Sequence, residues 1–460
     1  MGMNSRIRNV STSRSPGGLS RLTVAVATMS LTVAACSVAV TTVTPTEPLP
    51  SASVAQSPRP ETPVPSPTAT PTPEPVWQLS SIPPMFIGCC SHPVAVTAGE
   101  AEFVAVGDRT FRDNVTPSGG TAGAWRSVDG LTWEPAMASA DLAVGDWIPM
   151  SGPEPGFVDV AWGPAGFVAV GIALDGEPGA VFGGVWHSMD GRDWTRSELP
   201  LQTFARPTSV TWNGSQYVIV GVGEAKDAPR AAVWLSPDGR SWRRVTDGAV
   251  FDIGHYIDTG EYHGWGGPTD VASAPDGVVY AVGQTCSGTP GMYGGDTGVT
   301  CRPLVWRSPD GETWTTTEPE DAATASSFRS VATSNGRVVA VGGPQAAGGQ
   351  LADRPARVLI GNGASWQIIE PVGVPRLQRV VAFGQGFLAA ATANREISLW
   401  ASPDGLAWAA VTGVPQPADV TALRVIDLTV AGDHVVLVGS AEFSSAIGVG
   451  GFAIVWSHRG

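Results

Sequence analysis

A tryptophan, a Ser-x-Asp-Gly turn and a second tryptophan recur along this chain at intervals that point to a repeat architecture. Five full copies span Trp125–Trp133, Trp186–Trp194, Trp234–Trp242, Trp306–Trp314 and Trp400–Trp408; the fourth reads Trp-Arg-Ser-Pro-Asp-Gly-Glu-Thr-Trp. A decayed copy runs from Ile360 to Trp366, and a seventh opens at Trp456-Ser457, near the C-terminus. Self-similarity with a period of roughly 40–70 residues means that each repeat is one supersecondary unit, stacked on its neighbours to bury its apolar faces.

Upstream of each box lies an apolar phrase that ends in Val-Gly or a close relative: Phe103–Gly107, Phe167–Gly171, Tyr217–Gly221, Val278–Gly283, Val338–Gly342, Phe387–Ala391 and Val435–Gly439. Short β-branched and aromatic runs bounded by glycine are strand signals, and unbroken apolarity predicts burial on both faces. A looser strand precedes each phrase. Each repeat thus supplies four strands, here labelled A (loose), B (Val-Gly), C (first tryptophan) and D (second tryptophan). Four antiparallel strands repeated about an axis make an all-β fold, the β-propeller.

The turn chemistry is structural. An Asp side chain can accept hydrogen bonds from the backbone N–H groups that follow it, and Gly takes a positive φ without steric cost. Asp129, Asp190, Asp238, Asp310 and Asp404 are therefore read as turn residues, not catalytic ones. The tryptophans bring large ring areas suited to packing between sheets.

This unit resembles the Asp-box, or BNR, repeat of sialidase-like propellers, and the resemblance covers most of residues 77–460. It also departs from that repeat: the usual box has one residue between Asp and Gly, whereas here the two are adjacent.

Seven B phrases and seven C positions can be counted, but only six D strands follow their C strands. The segment Val76-Trp77-Gln-Leu79 looks like a strand following a box, and strand 77–80 is expected to pair with 452–457 and close a seven-bladed ring. Closure leaves few free sheet edges. Uneven box spacing keeps six or eight blades as alternatives.

The first 76 residues read as an address. Arg6, Arg8, Arg14 and Arg21 precede an apolar segment, Leu22–Ala35, too short to cross a bilayer and suited to a signal-peptide core. It ends in Val-Ala-Ala-Cys36, which resembles a bacterial lipobox; an ordinary secretory signal is the alternative. The expected organisation is a lipoprotein signal peptide (1–35), a lipidated Cys36 with a Pro/Thr-rich disordered spacer (36–76), and a propeller (77–460). Residues 41–76 hold 11 prolines, and such a spacer extends about 3.1 Å per residue. The expected location is the outer face of the cytoplasmic membrane, with the membrane as partner through the lipid.

Only 15% of residues are charged and the net charge is −14. An acidic surface disfavours nucleic acid and anionic surfaces as partners. Four cysteines remain besides Cys36. Cys286 and Cys301 bracket a Gly-rich loop and are the expected disulfide. A metal site from Cys89, Cys90 and His92 lacks the usual ligand spacing, so no metal and no cofactor are expected.

Propeller geometry sends the A–B and C–D turns to one face and the B–C and D–A loops to the other. The second set is longer and irregular here, and binding groups sit on variable loops carried by a rigid scaffold. The candidate ligand contacts there are His255, Tyr256, Asp258, Glu261, Tyr262, His263 and Trp265, with Trp147 and Tyr293 on neighbouring loops. Aromatics among carboxylates and imidazoles can stack on sugars, and they can equally pack on one another. No catalytic set is expected. The resemblance implies, for a sialidase-like hydrolase, a cluster of arginines facing a Tyr/Glu pair, and Arg109, Arg112, Arg354 and Arg376 form no recognisable set. The expectation is a monomeric, non-enzymatic module that binds a glycan, a peptide or a partner protein. A sialidase-like glycoside hydrolase is the alternative, and an assembly factor a third class on fold analogy alone.

Overall fold

A computed structural model describes residues 77–82, 92–109, 121–136, 156–174, 181–200, 205–225, 228–245, 249–251, 255–256, 262–263, 265–289, 297–319, 326–344, 355–445 and 448–459. The leader, Cys36, the spacer, Cys89 and Cys90 lie outside the described residues.

The described strands form seven four-stranded antiparallel blades and one small hairpin. Blade 1 is built from His92–Ala98, Phe103–Arg109, Thr121–Ser127 and Glu134–Pro135, and blade 2 from Gly156–Gly163, Gly166–Leu174, Val181–Ser188 and Thr195–Glu198. Blade 3 comprises Ala205–Trp212, Tyr217–Ala225, Ala228–Ser236 and Arg243–Val245, and blade 4 Trp265–Ser273, Val279–Thr289, Thr297–Ser308 and Thr315–Thr317. Ser326–Ser334, Arg337–Pro344, Arg357–Gly361 and Trp366–Ile369 make blade 5; Leu377–Phe383, Gly386–Ala393, Glu396–Ser402 and Ala409–Val411 make blade 6. Blade 7 takes Ala422–Ala431, His434–Ser445 and Gly448–Arg459 from the end of the chain and Gln78–Ser81 from its beginning. Each A strand touches the A strands on either side, and blade 7 returns to blade 1, so the A strands line the axis of a closed ring.

Closure follows the expected pairing within two residues. Gln78 lies opposite Ser457 and Ser81 opposite Ile454, and the Ile82 N–H donates to the Ala453 carbonyl at 3.2 Å. The Ser80 hydroxyl reaches across to the Leu131 carbonyl of blade 1 at 2.8 Å.

The core is divided among seven apolar clusters, each bridging two neighbouring blades. The B phrases are buried on both faces: Val104, Ala105 and Val106 expose no surface. Four first tryptophans of the boxes, Trp125, Trp186, Trp234 and Trp306, are fully buried, as is Trp456, whereas Trp400 is half-buried. The second tryptophan has a polar task as well, since Trp314 donates its indole N–H to the Gly311 carbonyl of its own turn at 2.7 Å. The turn aspartates do what a turn requires. Asp310 Oδ1 accepts the N–H groups of Glu312 (2.8 Å) and Thr313 (2.7 Å) and the Ser308 hydroxyl (3.1 Å).

One irregularity recurs in every blade. The register between strands A and B slips at Pro93/Ala95, Phe157/Asp159, Pro207/Ser209, Pro268/Asp270, Phe328/Ser330, Leu377/Arg379 and Val425/Asp427. These are β-bulges, places where a strand bends and re-aims a side chain, and where proline is tolerated. In six of the seven blades the residue opposite the bulge is the glycine of the Val-Gly phrase, for example Gly342 opposite Phe328, and in blade 6 it is Ala391. A Cβ on Gly342 would sit 1.9 Å from the Ser327 carbonyl oxygen, and one on Gly283 would sit 2.0 Å from that of Gly267. The glycine lets the bulged backbone approach strand B.

Candidate functional site: the axial ring

Each bulge presents one side chain around the propeller axis: Ala95, Asp159, Ser209, Asp270, Ser330, Arg379 and Asp427 in blades 1 to 7. All seven line a cavity of about 180 Å³. The side chains also stitch the blades together. Asp159 Oδ2 accepts the Val210 N–H at 2.8 Å and the Ser209 hydroxyl at 2.6 Å. Ser209 Oγ lies 3.3 Å from the Val271 N–H, which it accepts, and 2.8 Å from Asp270 Oδ1. Asp270 Oδ2 accepts the Val331 N–H at 2.8 Å, and Ser330 Oγ accepts the Val380 N–H at 3.1 Å. Arg379 donates to Asp427 Oδ1 at 3.2 Å, and Asp427 Oδ2 accepts the Val96 N–H at 2.8 Å. Each of these side chains thus holds the A strand of the next blade. Ala95 is the one ring member without a polar group.

The electrostatics of the ring follow from crowding three carboxylates about one axis. Burial, and then the negative charge of Asp270, pushes Asp159 up to about 7. Burial raises Asp270 to about 6, against the pull of the Val331 N–H, the Ser209 hydroxyl and Arg379. Asp427 is raised for the same first reason, with Arg379 opposing. The carboxylates are enclosed by protein but border the cavity, and the Asp427 side chain keeps 18% of its surface. That access tempers how much of the burial cost each one bears.

Two further arginines lie within electrostatic reach of each other, one of them on the cavity wall. Arg329 is the extra residue of the blade 5 bulge and lines the cavity. Arg376 immediately precedes strand A of blade 6, half-buried, with its stem where a Cβ on Gly343 would come within 2.9 Å. Burial, and then the positive charge of Arg329, lowers its pKa. Among the described residues neither Arg329 nor Arg376 forms an ion pair, whereas Arg379 is paired with Asp427.

The structure says less about the long-loop candidates. His255 lies opposite His263 and Tyr256 opposite Tyr262 in the two-stranded hairpin, and Trp265 opens strand A of blade 4. Asp258, Glu261, Trp147 and Tyr293 lie outside the described residues, as do Arg112 and Arg354. Cys286 lies opposite Cys301 in the blade 4 ladder. Among the described residues, no group of three or more His, Cys, Asp or Glu side chains is placed to hold a metal ion. Sequence reasoning missed the axial ring. Its trace in the sequence is slight: the ring residue precedes a valine in six blades, as in Asp159-Val160, Ser209-Val210 and Asp270-Val271, and a leucine in blade 7, Asp427-Leu428.

No family model matches the chain and no curated protein does. Solved structures do. A polysaccharide lyase, the PL25 ulvan lyase, superposes with a TM-score of 0.54 at 10% identity, over 79% of this chain and 93% of that one. The protein YCF48 bound to D1 peptide matches at 14% identity and a TM-score of 0.49, over 84% of this chain and 95% of that one. Trypanosoma rangeli sialidase gives 13% identity and a TM-score of 0.42, over 80% of this chain and 55% of its own. At 10% identity the likeness to the lyase is one of fold alone.

Proposed function

We propose that this protein is an exported binding module that holds an anionic group, on a glycan or a polypeptide, at the mouth of the axial cavity. One observation carries the reading: Arg329, on the cavity wall, and Arg376 repel each other and have no anionic partner among the described residues. Keeping a cation half-buried without a counter-charge costs free energy. A carboxylate or sulfate lying between two guanidinium groups offsets that cost through charge-assisted hydrogen bonds. Such a pair also stands out in a chain of net charge −14.

The test is isothermal titration of the full chain with oligogalacturonate and with a polyglutamate peptide. Binding of either is expected to weaken about tenfold or more in Arg329→Ala and in Arg376→Ala, each losing about one charge-assisted hydrogen bond, and to weaken as salt is added. If neither anion binds, or if both variants bind like the parent, the reading is wrong. The glycoside-hydrolase alternative draws on Asp159, whose pKa of about 7 suits a general acid. New reducing ends from the same oligogalacturonate would favour it.

The same reading places the module outside the cytoplasmic membrane, as a monomer on a lipidated Cys36 after removal of residues 1–35, with 36–76 as its spacer. An alkyne fatty acid fed to expressing cells is expected to label the parent and not Cys36→Ser. We further propose a Cys286–Cys301 disulfide, supported by their opposed positions in the ladder and the full burial of Cys301.

A further inference from the structure

The decayed box of blade 5 is two residues shorter than its counterparts, and the shortening changes the local ladder. In blade 4 the second tryptophan, Trp314, precedes strand D, and Trp306 lies opposite Thr316. In blade 5 Trp366 is drawn into the ladder opposite Gly361, where a Cβ would sit 2.3 Å from the indole ring. Asn362 replaces the turn aspartate, its Oδ1 accepting the N–H groups of Ala364 and Ser365, both at 3.0 Å. The shorter turn borders an open cavity of about 630 Å³ between itself and the A–B turn of the same blade.

That cavity lies on the face opposite the long loops, and its lining is specific. Asn335 and Arg337 come from the A–B turn, Asn362 and Ser365 from the shortened box, and Gln367 from strand D, all exposed, with the buried Trp366 beneath. The Gln367 amide has no hydrogen-bond partner among the described residues. Arg337 acts on the negative charge of Asp404 in blade 6, so the site brings no large net charge to a ligand. Planar amides and a guanidinium, each able to bond two adjacent oxygens, match the neighbouring hydroxyls of a sugar ring. Trp366, packed against Tyr280 in the core, forms the rigid floor of the cavity. The volume falls within the range of small-ligand pockets.

We infer that the blade 5 cavity is a binding site for a neutral saccharide, distinct from the axial ring, created where the repeat lost two residues. It does not depend on the anion reading. Saturation-transfer NMR on the full chain, with maltose, cellobiose and diacetylchitobiose as separate probes, tests it. At least one sugar is expected to show transfer. Its affinity is expected to fall about tenfold or more in the exposed double variant Arg337→Ala/Gln367→Ala, the loss of about one charge-assisted hydrogen bond. A second variant replaces Ile360–Trp366 with the nine-residue box of Trp306–Trp314, and it is expected to lose the sugar while still folding. Arg329→Ala is expected to bind it unchanged. Absence of transfer from all three sugars, or undiminished binding in the double variant, overturns the inference. If the box replacement does not fold, the double variant alone decides.

Discussion

Two sets of aspartates in this chain titrate in opposite directions, because one set sits in solvent-facing turns and the other around the axis. At Asp129 and Asp238 partial burial works upward, but the backbone N–H groups of the turn and its hydroxyls outweigh it and bring both down to about 2. Their contribution to stability is present above the ordinary value of 3.8 and is lost as pH falls towards 2. Asp159 runs the other way. Its folded carboxyl is raised to about 7, so the stability it contributes is full below 3.8 and is lost as pH rises through about 7. Thermal melts between pH 5 and pH 8 are therefore expected to show the parent losing stability with rising pH. Asp159→Asn, which resembles the protonated acid, should gain on the parent between pH 5 and pH 8 by on the order of 1–3 kcal/mol. An equal effect at both pH values would remove Asp159 as the source. The turn aspartates could be recognised in sequence because their identity repeats. The ring could not, because Ala95, Asp159, Ser209, Asp270, Ser330, Arg379 and Asp427 share a position and not a residue type.

At the scale of the element, the Val-Gly phrase carries more than a strand end. Its glycine faces the bulge in strand A, and the bulge aims a side chain into the axial ring. Gly342→Ala would push a Cβ into the Ser327 carbonyl, and calorimetry is expected to show a loss of about 1–3 kcal/mol. Blade 6 holds Ala391 at the equivalent place opposite Leu377, so the backbone can yield there and the fold survives the change. A Gly342→Ala variant as stable as the parent would mean that the bulge tolerates a side chain without strain. The strand itself was readable from a run of β-branched residues. The bulge was not, because it is a property of two strands in register, and a one-dimensional pattern records only one of them.

For the whole molecule, stability depends on a strand borrowed from the opposite end of the chain. Gln78–Ser81 completes blade 7, and Trp77 joins the apolar cluster between blades 6 and 7. Deleting Trp77–Ser81 would uncover the edge of Gly448–Arg459. The expected result is a melting temperature several degrees lower, with aggregation that rises with concentration, because an open edge pairs with other chains. Light scattering that matches the parent would show that closure by this strand is dispensable. The sequence by itself determined the repeat, the all-β class, the seven blades and the closing strand, because turn chemistry and apolar periodicity are local and recur in register. Only the tertiary structure decided which residues meet. The axial ring gathers one side chain from each of seven segments spread from Ala95 to Asp427, and Arg329, without an ionic partner among the described residues, lines the same cavity. The blade 5 cavity likewise opens between an A–B turn and a C–D turn some 25 residues apart, a proximity set by strand pairing.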